Sequence, residues 1–273
     1  MPRTGRLLTD GAIYHVLTRG NNGQPVFRQE DDYKQYLELV ATHFRAHDVK
    51  LFHFSLLPNY AHLLVQPSKG SELSKAMFGI NLSYARLFQK RYQYAGHLWQ
   101  GRFRSIPVCR DSHLLECGRY IELSAVRAGI AEDPAAYPWS SFGIYAGGAS
   151  HSAVTPNPLH GALGTTHAAC QTAYRVFVQA ALPNEPRAVR QTESQSFTMM
   201  VRDLEMRFAP QGNRPKRGRP RKLRAAVRLG TMLFVGLLSG KRSRARQGRL
   251  QYPRLLWQQM CAALLAVSAV EYT

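Results

Sequence analysis

Two places in the sequence set chemically capable side chains at spacings that a regular backbone would turn to one side. In Tyr60-Ala61-His62 a phenol and an imidazole stand two residues apart. On a β-strand such residues leave the same face, so Tyr60 and His62 would project together, away from Ala61, Leu63 and Val65. The second place is Tyr120. At about 100° per residue on a helix, Leu114, Gly118, Ile121 and Ala125 form one stripe, and Tyr120 falls opposite them with His113, Glu116, Ser124 and Arg127. That predicts a tyrosine outside the core. A tyrosine hydroxyl can act as a nucleophile and an imidazole can move protons or bind metal, but a tyrosine on a polar helix face equally suits an ordinary surface helix.

The elements that must carry these residues follow from the apolar spacing. Residues 13–18 are a β-branched and aromatic run closed by Arg19-Gly20-Asn21-Asn22-Gly23, and they predict a first strand ending in a turn. Over 29–47 Tyr33, Leu37, Val40 and Phe44 recur every three or four residues, as an amphipathic helix requires. Residues 50–57 and 60–66 predict two strands split by the turn signal Pro58-Asn59, with Phe52, Phe54 and Leu56 sharing one face of the first. Ser71 stands where it could cap a helix reaching residue 92. Residues 102–108 predict a fourth strand, and Asp111 or Ser112 can cap a last helix to about Ala128, stopped by Gly129. The order predicts an α+β fold: a ferredoxin-like split βαβ sandwich, an antiparallel sheet with helices on one face.

Thirty-six Lys and Arg against seventeen Asp and Glu give the 273-residue chain a formal charge of +19, which predicts a polyanionic partner, nucleic acid before an anionic membrane. A hydrophobic content of 45% excludes disorder throughout. Residues 214–249 hold thirteen Lys or Arg and no acid, opening with Lys216-Arg217-Gly218-Arg219-Pro220-Arg221-Lys222. Arg217-Gly218-Arg219-Pro220 suits insertion into a narrow A·T-rich minor groove or, equally, a solvated basic linker. The apolar stretches 229–238 and 255–270 fall short of the roughly 20 residues that span a bilayer, so they predict packed or surface-lying helices and no membrane partner. The start of the chain has no run suited to a signal peptide. Cys109, Cys117, Cys170 and Cys261 form no C-x-x-C pair, which fits a reducing cytoplasm better than a zinc cage or a disulfide framework. Residues 146–160 are rich in Gly, Ala, Ser and Pro, and a helical pattern resumes over 167–181. The expected organisation is a domain over 1–147, a linker and helical region over 148–209, and a basic C-terminal tail with short apolar helices over 210–273.

Ile13-Tyr14-His15-Val16, Arg19-Gly20-Asn21, Leu57-Pro58-Asn59 with His62-Leu63-Leu64-Val65, and Gly96-His97-Leu98-Trp99-Gln100-Gly101-Arg102-Phe103 stand in order along the chain. Arg119-Tyr120-Ile121, Val126-Arg127-Ala128-Gly129 and Tyr137-Pro138-Trp139-Ser140-Ser141 follow them. Together, over residues 8–147, they resemble the IS200-like transposases of the HUH type with a single catalytic tyrosine, and most of all the REP-associated tyrosine transposases. The resemblance implies a protein that cleaves and rejoins single-stranded or hairpin DNA through a 5′-phosphotyrosine link. A divalent ion, Mg²⁺ or Mn²⁺, would be held by a His-hydrophobic-His pair and a polar residue one turn beyond the tyrosine. By motif, Tyr120 is the nucleophile and His62 a metal ligand. Covalent attachment keeps the phosphodiester energy between cleavage and joining, which suits recombination.

Two positions depart from that pattern. Tyr60 stands where the family has its first histidine, and Ser124 where it has Asn or Gln. A phenol with a pKa near 10 is a poor ligand for a hard cation at neutral pH, and a serine hydroxyl is shorter and weaker than an amide carbonyl. Glu116 and His113 share the helix face of Tyr120 as substitutes, and Tyr60 is a second phenol that could replace the nucleophile. Arg19, Arg102, Arg104, Lys216, Arg217, Arg219, Arg221 and Lys222 are the expected DNA contacts; Trp99 and Phe103 are expected to pack, and His15, His53 and His97 to be structural or surface groups. Two rival readings are a DNA-binding protein that has lost cleavage and an RNA-binding module. The second lacks an RNP aromatic motif.

Overall fold

Four strands, β1 (Ile13–Arg19), β2 (Val49–Leu57), β3 (Tyr60–Pro67) and β4 (Arg104–Val108), pair antiparallel in the order β2-β3-β1-β4. Helix α1 (Glu30–Ala46) connects β1 to β2 and α2 (Gly70–Tyr92) connects β3 to β4, which is the split βαβ arrangement expected from the sequence. Among the described residues five further α-helices follow: α3 (Leu114–Glu122), α4 (Ser124–Arg127), α5 (Phe142–Gly147), α6 (His167–Gln179) and α7 (Glu193–Phe208). The computed structural model describes residues 8–108, 113–182 and 193–208, the last segment by backbone alone up to residue 200. All of these lie in one compact unit, Met1–Lys216.

One face of the sheet is covered by α1 and α2. Tyr14, Val16, Phe54, Leu56, Ala61, Leu63 and Val65 pack there with Tyr36, Leu37, Val40, Met77, Ile80 and Tyr84. The face shared by Ala61, Leu63 and Val65 is as alternation predicts. Phe52 is not on it. The pairing of β2 with β3 shifts register between Leu51 and His53, and the extra residue of the bulge sends Phe52 to the opposite face with Leu64, Ile13 and Leu17.

That opposite face is covered too, so helices lie on both sides of the sheet where the sequence predicts one. Leu114, Cys117 and Ile121 of α3 and Val201, Leu204 and Phe208 of α7 pack on Leu17, Leu64, Ile106 and Val108. The strands forecast this in part, since the face that carries His62 also bears apolar Ile13 and Leu17 on β1 and Leu64 on β3. The expected single last helix is broken at Leu123, where ψ is 0°, into α3 and α4; Gly129, at φ +67°, then ends it as expected. Ser71 does not cap α2. The first helical N–H, that of Gly70, is bound instead by Asp10 Oδ1 at 2.7 Å, a tertiary contact in place of a local one. The candidate caps Asp111 and Ser112 lie outside the described residues.

Later segments dress the edge of β2. Leu56 N–H bonds the Trp139 carbonyl at 2.9 Å, Ser141 N–H bonds the Phe54 carbonyl at 2.9 Å, and Tyr137 donates its hydroxyl to the Leu56 carbonyl at 2.5 Å. The segment expected to be a linker also reaches this strand: Leu51 bridges Val154, and Thr155 N–H bonds the Leu51 carbonyl at 2.8 Å. Covered edges cannot pair with other chains. The basic run 214–249, the apolar stretches 229–238 and 255–270, Cys109 and Cys261 lie outside the described residues. No described helix is long and apolar enough to cross a membrane.

Candidate active site

Strand alternation places Tyr60 and His62 on the face of β3 that looks toward α3, as predicted. Leu17 is the cross-strand partner of His62, so His15, two residues earlier on β1, sits diagonally beside it on the same face. The two imidazoles share a hydrogen bond, Nε2 of His15 to Nδ1 of His62, at 2.8 Å. On the other side of His62 its β2 partner is Ser55, whose Oγ accepts a hydrogen bond from Ser124 Oγ at 2.9 Å. The Tyr120 ring comes down from α3 onto this group, 6.2 Å from the His15 ring and 6.4 Å from that of His62. Tyr60 lies edge-on to His62 at 5.0 Å. Residues of β1, β3 and α3, far apart in sequence, therefore meet at one spot on the sheet.

Tyr120 is not the exposed tyrosine that helix periodicity predicts. It is 8% exposed and Ser124 is 2% exposed. Two covers explain the burial. Arg127 folds back so that its guanidinium lies 3.6 Å from the Tyr120 ring centre and donates a hydrogen bond to the Tyr120 carbonyl. The end of α7 adds Phe208, edge-on at 6.1 Å, and Arg207 at 5.9 Å. A cleft of about 240 Å³ remains beside the tyrosine, lined by His113, Glu116, Arg119, Arg207 and Phe208. The proposed substitutes Glu116 and His113 thus reach the same cleft, but the Glu116 carboxylate is bound by Arg119.

The electrostatics follow from burial beside a cation. Burial, aided by Arg127, lowers the His15 pKa to about 3. His62 is held well below its ordinary value by burial first, then by His15 and Arg127. Both imidazoles are therefore neutral at physiological pH. Burial pushes the Tyr60 phenol up to about 12, against the pull of Arg127, so Tyr60 keeps its proton. Its oxygen is then no anionic ligand, and the Ser124 hydroxyl, which donates its proton to Ser55, is a weak neutral one. His62 Nε2 and His15 Nδ1 are buried imidazole nitrogens without a hydrogen-bond partner. Among the described residues no three His, Cys, Asp or Glu side chains converge as a metal site. The residues present do not supply the three-donor set that the resemblance implies for a divalent ion.

A second buried group holds the helix that bears Tyr120. The Glu122 carboxylate accepts hydrogen bonds from Ser141 Oγ at 2.7 Å, Tyr174 Oη at 2.8 Å and His53 Nδ1 at 2.9 Å. Asn157 fixes the tautomer: its Oδ1 accepts from Leu159 N–H, so its Nδ2 donates to His53 Nε2 at 2.9 Å and leaves the proton on Nδ1. His53 is thus structural, as expected. Gly118 passes directly over its ring, where a Cβ would sit 2.7 Å from Nε2. Glycine allows α3 to approach the sheet this closely.

The expected DNA contacts divide. Arg102 and Arg104 are exposed on either side of buried Phe103, but Arg19 is only 6% exposed and donates to Gln100 at 3.4 Å. Trp99 packs, donating its Nε1 to the Asn81 carbonyl at 2.9 Å. Lys216, Arg217, Arg219, Arg221 and Lys222 lie outside the described residues. Sequence reasoning gave no role to Arg127 and left His15 as a bystander. His15 could have been found, because split βαβ order sets β1 beside β3 and alternation then turns His15 toward His62. Nothing in the sequence signals that Phe208 covers Tyr120.

Residues 9–124 match the family model described as "Transposase IS200 like". Among solved structures, a REP-associated tyrosine transposase bound to a REP hairpin is 16% identical, with a TM-score of 0.46 over 57% of this chain and 92% of that one. A candidate transposase from Deinococcus radiodurans R1 is 21% identical, with a TM-score of 0.31 over 44% of this chain and 96% of the other. No curated protein matches the chain.

Proposed function

We propose that this protein, whose residues 9–124 match the IS200-like transposase model, binds single-stranded or hairpin DNA and cleaves and rejoins it with Tyr120 as nucleophile. The observation that carries this reading is the convergence of Tyr120, His62 and His15 on one face of the sheet. In the step itself the Tyr120 oxygen bonds to phosphorus and the bond from phosphorus to the 3′ oxygen breaks. The phenol loses its proton and the departing 3′ oxygen gains one, leaving a 5′-phosphotyrosine and a 3′-hydroxyl. Attack by a 3′-hydroxyl on that linkage reverses the step and rejoins a strand. The excess of basic residues supports a nucleic-acid partner, and exposed Arg102 and Arg104 are phosphate contacts in this reading.

A second reading, DNA binding without cleavage, is favoured by one observation: Tyr60 and Ser124 replace two donors of the family's metal set. Incubating the full chain with a labelled hairpin carrying a single-stranded flank, with Mn²⁺ or Mg²⁺, separates the two. A covalent adduct on a denaturing gel, lost in Tyr120→Phe, is the expected result. Binding with no adduct in either metal sinks the cleavage reading and leaves the second. Tyr60→His combined with Ser124→Asn is expected to raise adduct formation; no gain would mean that these two positions do not limit it.

A further inference from the structure

We propose that Arg127 is a phosphate-binding residue of this site, whose guanidinium supplies beside Tyr120 the positive charge that the incomplete metal set does not; this rests on the DNA-cleavage reading. Its placement comes from the chain itself. The break at Leu123 and the short α4 return residue 127 over residue 120, seven positions earlier, and the side chain is fastened there twice, to the Tyr120 carbonyl and over the Tyr120 ring.

Two other arginines, Arg119 and Arg207, also line this cleft. Arg119 is bound by Glu116 and Arg207 by Asp203, each a carboxylate of the same helix. Arg127 lies against the tyrosine itself, over its ring and at its carbonyl. Its side chain is half-buried, with part left to solvent. A planar guanidinium offers a fork of donors that matches two phosphate oxygens, and in a partly dry site such a bond is stronger than in water. A phosphodiester bound there would lie beside the Tyr120 ring, with a positive charge already in place near the charge that builds up in the transition state.

The test is fluorescence anisotropy of a labelled DNA hairpin with a single-stranded flank, over a salt series, on full-length wild type, Arg127→Gln and Arg127→Lys. Arg127→Gln is expected to weaken binding about tenfold and to reduce the slope of log K against log salt by about 0.7 to 0.9, the value of one lost phosphate contact. Arg127→Lys keeps the charge and should keep the slope. A scan with single methylphosphonates in the flank adds a readout independent of folding losses. One neutralised phosphate should weaken wild type and Arg127→Lys but have no further effect on Arg127→Gln. If Arg127→Gln does not fold, Arg127→Met takes its place in the scan: a phosphate whose neutralisation weakens wild type but not the variant upholds the assignment, and the lack of any such phosphate overturns it. If every methylphosphonate acts alike on wild type and Arg127→Gln, Arg127 is not the contact. A wild-type chain that binds no hairpin overturns the functional reading and the assignment with it.

Discussion

Gly118→Ala sets two effects of opposite sign against each other. In the interior of α3, alanine is a better helix former than glycine by about 1 kcal/mol, and on that ground the change should stabilise. The structure opposes it. The new Cβ would meet the His53 ring at 2.7, 2.8 and 2.9 Å, closer than carbon atoms tolerate. The ring cannot swing away: Glu122 and Asn157 hold its two nitrogens, and Tyr145 stacks on it at 4.3 Å. Overpacking of a well-filled core costs about 1 to 3 kcal/mol. A rigid neighbour belongs at the upper end, so the net effect is a loss of about 1 to 2 kcal/mol. For a domain of this size that lowers Tm by roughly 2 to 8 °C. Thermal unfolding followed by circular dichroism measures it. The same substitution in a His53→Ala background should be neutral or stabilising, because the obstructing ring is gone. A higher Tm for Gly118→Ala in the otherwise unchanged chain would refute the packing argument.

Acid should destabilise the fold earlier than carboxylate titration alone requires. His15 and His62 have lowered pKa values in the folded state, so below the ordinary 6.5 the unfolded chain binds more protons. Their contribution is fully present above that pH and is lost as pH falls, by up to about 1.4 kcal/mol per pH unit for each residue. Urea unfolding at pH 7 and pH 5 should show this, and His15→Asn should reduce the dependence; identical pH profiles for wild type and variant would contradict it. Deleting residues 210–273 removes the thirteen basic residues of 214–249 and should both weaken binding to the hairpin and flatten its salt dependence. An unchanged slope would take the tail out of the DNA interface.

The sequence by itself determined the order of strands and helices, the face on which Tyr60 and His62 stand, and the family motifs, since each depends on contacts close along the chain or on the period of one element. The departures at Tyr60 and Ser124 were equally legible, because they concern residue type at a fixed motif position. Tertiary structure decided what surrounds those residues. The bulge at Phe52 arises from pairing between two strands, and the burial of Tyr120 from α7, more than seventy residues away in sequence. Helix periodicity reports which side of a helix is polar but not what later folds over that side. Arg127 is the same case at shorter range: its sequence position puts it on the polar face, and the turn at Leu123 brings its charge over the Tyr120 ring.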